Sequence, residues 1–298
     1  MNVSTAMRCA VVSTSTGSLD SLQYYDPLIH ILRLNIHLDG QTYTDGDTLK
    51  PEEFYAWMRK HPKGLANTTP PSKASIRHLF NDLVLQGYEE VIVVTISHTL
   101  SDTYQHIKKI AAEFDGQLTV HMVDTETSCW PEGFFAIEAA RLLRLGISAQ
   151  EVTFYLLRLI PRMEIIFCVD SLHNLRQNGR LGRRQNGRLG RAGKLIADML
   201  DFKPILHFYR SSLTRLDIVR HTDNMLEVLS QTIAQSIKGK NAIVYGLHTG
   251  NVELYEQFAK KLQTHIGIYP GGYPISPVVG AHIGLDAVGI CIIDKILG

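Results

Sequence analysis

One short polar segment carries hydroxyls at a place where they could hold an anion. The run from Thr68 to Ser72 (TTPPS) stands directly before the amphipathic stretch Ser72–Leu85. Hydroxyls and free backbone N–H groups at a helix start can bind an anion. The same pattern also suits a plain helix cap at Ser72 after a proline turn. Both interpretations remain open for this segment.

A second polar segment, from Ile96 to Tyr104, follows the most apolar run of the chain. Val91–Ile96 is almost wholly apolar, which is typical of a parallel strand buried on both faces. Ligands of open α/β sheets collect outside the carboxyl ends of the strands, so Ser97 and His98 are candidate ligand residues. The alternative is that Ser101 or Asp102 simply caps the next helix.

The most unusual feature is a perfect tandem repeat of eight residues, at 176–183 and 184–191 (RQNGRLGR). From Arg176 to Lys194 there are six arginines and one lysine and no acidic residue. Such a segment is solvated and attracts anions. An arginine such as Arg180 or Arg188 can bind a carboxylate or phosphate through its two-pronged guanidinium. A solvated surface loop explains most of the other arginines.

Near the C-terminus, His282 lies among small residues between Gly280 and Gly284, where a ligand could approach the backbone closely. A lone histidine is more often a structural group. The histidines have no metal-ligand spacing, so no metal site is expected. There is also no G-x-S-x-G nucleophile motif, P-loop or dinucleotide-binding glycine motif after a strand.

The composition fits one large or two ordinary globular domains. The chain has 298 residues, is 45% hydrophobic and carries a formal net charge of +1. No apolar run approaches the ~18 residues of a membrane span. The four cysteines are widely separated and form no C-x-x-C pair. We therefore expect reduced cysteines and a cytoplasmic protein.

Alternating strand-like and helix-like stretches predict an α/β fold with two domains. Residues 1–160 should form a Rossmann-like parallel sheet with helices, with strands that include Cys9–Val12 and Ile31–Leu38. Residues 161–298 have fewer helices per strand. We expect them to form an α+β domain with a mixed or antiparallel sheet, which carries the arginine loop and His282.

Taken in order, these segments resemble the DegV family, the fatty-acid-binding proteins that serve bacterial fatty acid kinase. TTPPS corresponds to the family's T-S-Q-P-S, Ile96–Gln105 to its I-S-S-x-L-S-G-T-Y-Q, and Val278–Gly284 to its V-I-G-x-H-x-G. Further matches lie at Ser13–Thr16, Asp39–Tyr43, Pro51–Tyr55, Phe167–Arg180 and Lys203–Leu206. The chain departs from the pattern at Thr14 (usually Asp), at His98 (usually Ser), and at Leu285-Asp286 (usually the start of G-P-G).

The resemblance implies a lipid carrier and not an enzyme. It implies an acyl chain in a tunnel between two domains, with no other cofactor, and a kinase subunit as partner. The carboxylate would be bound by residues that match the family's motifs: Thr68, Ser97, His98, Arg180 or Arg188, and His282. Counting from the upstream motif selects Arg180, whereas counting back from Lys203 selects Arg188. The repeat is thus an eight-residue insertion relative to the family pattern.

Two other functions are weighed against the carrier. The arginine loop could bind nucleic acid, but the total charge is nearly neutral and no aromatic residues are interleaved with the arginines. Ser97, His98 and His282 could serve a small hydrolase, but no oxyanion-hole signature accompanies them.

Overall fold

The computed structural model describes residues 8–62, 64–178, 202–220 and 222–295. Its N-terminal half is built on a four-stranded parallel sheet with the order β2-β1-β6-β7, as expected of a Rossmann-like domain. The strands are β1 (Cys9–Thr14), β2 (Ile29–Leu32), β6 (Glu90–Thr95) and β7 (Thr119–Asp124). Val91 to Val94 are fully buried, because helices cover both faces of the sheet.

A small antiparallel sheet, absent from the sequence prediction, stands beside the first. It has the order β4-β3-β5 and consists of β3 (Asn35–Leu38), β4 (Gln41–Thr44) and β5 (Asn67–Thr69). The prediction of one strand over Ile31–Leu38 was therefore wrong. The chain leaves the parallel sheet at Arg33 and Leu34, where Asp20 binds the guanidinium and Ser15 Oγ accepts the Leu34 N–H at 3.1 Å.

Five helices belong to this half, and their ends follow local capping chemistry. They are α1 (Pro51–Lys60), α2 (Lys73–Leu85), α3 (Thr103–Ala111), α4 (Trp130–Arg144) and α5 (Ala149–Leu159). Ser72 Oγ accepts the Ser75 N–H at 3.0 Å, so Ser72 does cap α2. Ser148 and Glu151 form the predicted capping box of α5.

The C-terminal half is built on a six-stranded mixed sheet with the order β10-β9-β8-β13-β11-β12. Its strands are β8 (Met163–Cys168), β9 (Phe202–Tyr209), β10 (Ser212–Arg220), β11 (Ala242–His248), β12 (Gly272–Pro274) and β13 (Val288–Asp294). Only β11 and β12 pair in parallel among these described strands. The α-helices among the described residues of this half are α6 (His173–Gln177), α7 (Thr222–Ile237), α8 (Val252–Ile266) and α9 (Pro277–Ile283). The predicted fold class is confirmed.

The two faces of the mixed sheet have different partners. Alternate residues such as Ile166 and Ile290 pack against α7 and α8. Their neighbours, such as Ile165 and Cys291, belong to a cluster that also contains residues of the parallel sheet and of α4. Because this core is shared by both halves, the domain boundary at residue 160 stays a prediction. No described helix is long and apolar enough to cross a membrane.

Candidate functional site: an apolar cavity with a polar pair

An apolar cavity lies where the mixed sheet faces the N-terminal half. The space within it, including its open mouth, is about 890 Å³. Its lining residues come from both halves and are mostly apolar: Leu34, Thr68, Ile96, Leu100, Ser101, Ser128, Cys129, Ile165, Phe167, Leu175, Phe208, Leu213, Leu247, Ile275, Val278, Val279, His282, Ile283, Ala287, Val288 and Gly289.

Thr68 and His282 form a polar pair in this lining. Thr68 Oγ1 and His282 Nε2 lie 2.8 Å apart, although the residues are separated by 214 positions in the chain. Both are half-buried, so the pair is within reach of solvent as well as of the cavity. A hydroxyl and an imidazole N–H directed to one place can both donate to a carboxylate. The structure thus brings together two of the predicted site residues.

Contacts from the N-terminal half hold α9, the helix that carries His282. Asp45 Oδ1 accepts the Val278 N–H at 3.3 Å, and Ser18 Oγ accepts the Ser276 N–H at 3.1 Å. Tyr55 donates its hydroxyl to the Ile275 carbonyl at 2.7 Å. The fixed position of α9 follows from these buried polar contacts, which join the two halves next to the cavity.

The glycine before His282 is explained by one of these contacts. A Cβ on Gly280 would lie 2.5 Å from the Tyr55 hydroxyl oxygen, so a side chain there would displace Tyr55. Gly280 therefore lets α9 approach α1 closely. The small residues around His282, read in the sequence as room for a ligand, here make room for a packing contact.

Ser97 lies beside the cavity wall and its hydroxyl has other partners. Ser97 Oγ is 2.7 Å from Ser211 Oγ and 2.9 Å from Thr99 Oγ1. Thr99 Oγ1 also donates to the Ser211 carbonyl at 3.1 Å. Ser211 lies at the tip of the β9–β10 hairpin, whose Phe208 and Leu213 line the cavity. The Ser97 hydroxyl thus links this hairpin to the end of β6 through a hydrogen bond.

His98 is directed to β7 instead of the cavity. Its Nδ1 pairs with Asp124 Oδ2, and about half of its side chain is exposed. Because Ser97 and His98 bond to different partners, they do not form a nucleophile and general base in this geometry. The roles predicted for them in ligand binding stay predictions.

Two serines that were not predicted as ligand residues do line the cavity. Ser101, four residues after Ser97, bonds Thr103 Oγ1 at 2.8 Å at the start of α3. Ser128 follows β7 and precedes α4. Both lie beyond the carboxyl ends of parallel strands, where the rule that selected Ser97 would also have found them.

Arg180 and Arg188 lie outside the described residues. The first three positions of the first repeat, Arg176 to Asn178, are described. Asn178 Nδ2 donates to the Ala281 carbonyl at 2.9 Å, directly before His282 in the chain. Asn178, the last described residue of the first repeat, therefore contacts the helix that carries His282. Among the described residues, no group of three or more His, Cys, Asp or Glu side chains could hold a metal ion.

A buried carboxyl lies at the start of α4, behind the cavity wall. Thr16 Oγ1 donates to Glu132 Oε2 at 2.6 Å, and Thr14 Oγ1 donates to Oε1. Burial raises the pKa of Glu132 to about 8, against the opposing effect of these hydrogen bonds. Burial likewise raises the pKa of Asp45 to about 7.

Glu132 is expected to make stability fall as the pH rises. Between its ordinary pKa of 4.5 and its folded pKa of about 8, the folded protein keeps a proton that the unfolded chain has lost. At about 1.4 kcal/mol per pKa unit, this contribution declines by on the order of 3–5 kcal/mol across that window. Urea unfolding at several pH values should show a flatter profile for Glu132→Gln, with the weaker slope from Asp45 retained. Parallel profiles of variant and wild type would contradict this assignment.

The sequence matches a family model over residues 8–295, nearly the whole chain, and that model is described as an uncharacterised protein of the DegV family. A DegV domain-containing protein of Listeria innocua is 29% identical over 286 residues, covering 95% of this chain and 97% of the relative. Protein DegV of Bacillus subtilis is 26% identical over 291 residues, covering 96% and 99%.

Solved structures share the fold over almost the full length. A fatty acid binding DegV family protein of Streptococcus agalactiae superposes with a TM-score of 0.84 at 24% identity, covering 97% of this chain and all of that one. DegV of Bacillus subtilis, described as a fatty acid binding protein, has a TM-score of 0.79 at 25% identity with coverages of 97% and 100%. A stearic acid-binding protein of Eubacterium ventriosum has a TM-score of 0.83 at 22% identity, covering 96% and 98%. With its sequence matching the family model over residues 8–295 and its fold matching along almost the whole length, the chain belongs to the DegV family.

Proposed function

We propose that this protein binds a long-chain fatty acid in the apolar cavity and presents the carboxylate to a fatty acid kinase subunit. The observation that carries the proposal is the pairing of Thr68 with His282 in the wall of a cavity that is otherwise mostly apolar. The fatty acids named for the similar solved structures support the same class of ligand.

Burial of the acyl chain would supply most of the affinity. Each buried methylene contributes roughly 0.8 kcal/mol, so ~14 methylenes give on the order of 11 kcal/mol before ordering costs. Burial of the carboxylate, in contrast, is unfavourable unless hydrogen-bond donors or cations pair with it. Few polar contacts are therefore needed, but those few decide that the ligand is an acid.

Thr68 and His282 are the proposed head-group contacts, with Ser101 as the serine of the β6–α3 loop that lines the cavity. Ser97 and His98 can contact the ligand directly only if they leave Ser211 and Asp124. In the present geometry we propose that they act indirectly, by holding the loop and the hairpin tip.

One arginine of the repeat is the proposed cationic partner of the carboxylate, and the first copy is favoured. Arg180 follows the anchored Asn178 by two residues, which span at most ~7 Å. Arg188 follows it by ten. Arg180→Ala should therefore weaken binding about tenfold, as expected for loss of a charged hydrogen bond. Arg188→Ala should change it less than twofold. Titration of both variants with one fatty acid checks this, and the reverse order would assign the site to the second copy.

The proposed role is that of a carrier and not of a catalyst. A partner kinase would transfer the γ-phosphoryl group of ATP to the bound carboxylate, which gives an acyl phosphate and ADP. No cofactor other than the fatty acid is proposed. The four cysteines are buried and free, which is consistent with a reducing compartment, and we propose a cytoplasmic location.

Calorimetry on delipidated protein tests the ligand class. We expect octadecanoic acid to bind with a submicromolar Kd and octadecanol to bind at least about tenfold more weakly, since only the acid offers the polar pair a charged acceptor. If the acid and the alcohol bind with equal affinity, the head-group assignment is wrong. If neither compound binds, the proposed carrier function is wrong. Formation of acyl phosphate by a fatty acid kinase subunit only when this protein is added tests the presentation step.

A further inference from the structure

The hydroxyl of Ser128, in the cavity wall, has almost no hydrogen-bond partner within the described part of the protein. The residue is 4% exposed, and its Oγ has no hydrogen-bond partner of normal geometry among the described residues. Its neighbour is the thiol of Cys129, a weak donor and a weak acceptor. The other polar residues of the lining differ, because Thr68 is within hydrogen-bond distance of His282 and Ser101 of Thr103.

The backbone next to Ser128 is held in a costly conformation. Cys129 has φ 61° and ψ −153°, a region that is almost restricted to glycine. Such conformations persist where the surrounding structure enforces them, and they concentrate at functional sites. Here the conformation places Ser128 and Cys129 together in the lining at the start of α4.

The neighbourhood of Ser128 favours a neutral partner over a carboxylate. Glu132, in the first turn of α4, already presents a buried carboxyl to Thr14 and Thr16 at this end of the helix. The burial that raises the pKa of Glu132 would equally penalise a ligand carboxylate in this poorly solvated region. A buried hydroxyl without a good partner is unfavourable, and a neutral ligand oxygen would remove that cost.

We propose that Ser128 selects fatty acids that carry a neutral oxygen substituent, a hydroxyl or a keto group, along the acyl chain. The inference rests on the proposed function, because it assumes that an acyl chain fills the cavity. A plain chain would leave Ser128 unsatisfied, whereas an oxygenated chain in an otherwise apolar wall would need Ser128 for its own hydrogen bond.

The test is a positional scan with monohydroxylated octadecanoic acids beside octadecanoic acid, by calorimetry on the delipidated full-length protein. At one hydroxyl position, the wild type should bind the hydroxylated acid at least as tightly as the plain acid. Ser128→Ala should weaken that isomer about tenfold and leave the plain acid equal or slightly tighter. Ser230→Ala, a buried serine in α7 that bonds its own helix, is the matched control and should change neither affinity.

The possible failures are distinguishable. If every hydroxylated isomer binds the wild type much more weakly than the plain acid, the selectivity proposal is wrong. This outcome needs only the wild-type protein, so it does not depend on whether Ser128→Ala folds. An equal loss for plain and hydroxylated acids in Ser128→Ala would instead assign Ser128 a structural role. If no acid binds the wild type at all, it is the carrier function that fails.

Discussion

Removal of the Thr68 hydroxyl together with the His282 imidazole is expected to weaken fatty acid binding about a hundredfold. Hydrogen bonds to a charged group are each worth about 1.5–3 kcal/mol, or roughly 12- to 160-fold, so two independent losses would exceed a hundredfold. The double variant Thr68→Val/His282→Leu should lose less than the sum of the two single variants. Both groups serve one carboxylate, so their effects couple. Calorimetry with octadecanoic acid on delipidated protein measures all three variants.

Matched variants separate head-group recognition from damage to the fold. Thr68→Ser keeps the hydroxyl and should bind nearly as tightly as the wild type. Thr69→Val makes the same type of change one residue further on, where the hydroxyl contacts His37 instead of the polar pair, and should leave binding unchanged. Binding of octadecanol should be much less sensitive to these variants, since its hydroxyl is uncharged and makes weaker hydrogen bonds. A hundredfold loss for the alcohol as well would mean that the double variant had distorted the cavity.

Replacement of Gly289 with alanine is expected to destabilise the protein by about 3 kcal/mol. Gly289 lies in β13 between Phe167 of β8 and Leu247 of β11, on the sheet face that forms the cavity. A Cβ at this position would lie 2.4 Å from Phe167 Cβ and 2.6 Å from the Ile166 carbonyl oxygen. A change of side-chain rotamer cannot move these atoms, so the strands themselves must separate.

Gly271→Ala is the control for this prediction. The nearest atom to a Cβ there is Tyr273 Cε2 at 3.8 Å, an ordinary contact, and the expected change is about 0.5 kcal/mol or less. Urea denaturation followed by circular dichroism compares the two variants with the wild type. Equal stabilities of Gly289→Ala and Gly271→Ala would contradict the close packing of Phe167 over β13.

The parallel sheet was predictable mainly from its central strands β1 and β6, which contain continuous buried apolar runs. Val91–Ile96 was expected as a buried strand, and β6 covers Glu90–Thr95. The strand Gly272–Pro274 has only three residues, which is too short to show an alternation of polar and apolar residues, so the sequence did not predict it. The break at Arg33 and Leu34 was hidden for another reason. The apolar pattern continues through it, and only tertiary contacts to Asp20 and Ser15 divide the run between two sheets.

The candidate site was predictable in its location and less so in its atoms. Thr68 and His282 are too far apart in the chain for any local pattern to pair them, and only the resemblance to a family joined them. The loop after β6, which the sequence singled out, contributes to the cavity lining, but its cavity-lining serine is Ser101. The Ser97 hydroxyl is hydrogen-bonded to Ser211 at the hairpin tip instead of lining the cavity. Because Ser211 comes from a distant part of the chain, no local pattern could predict this contact.

Native mass spectrometry of the protein purified without detergent is the most direct test of fatty acid binding. We predict an excess mass equal to one long-chain fatty acid per chain, which disappears on denaturation and is reduced in Thr68→Val/His282→Leu. Delipidated wild-type protein should regain the same excess mass when octadecanoic acid is added. Observation of the bare chain alone, both after purification and after addition of the acid, would contradict the account.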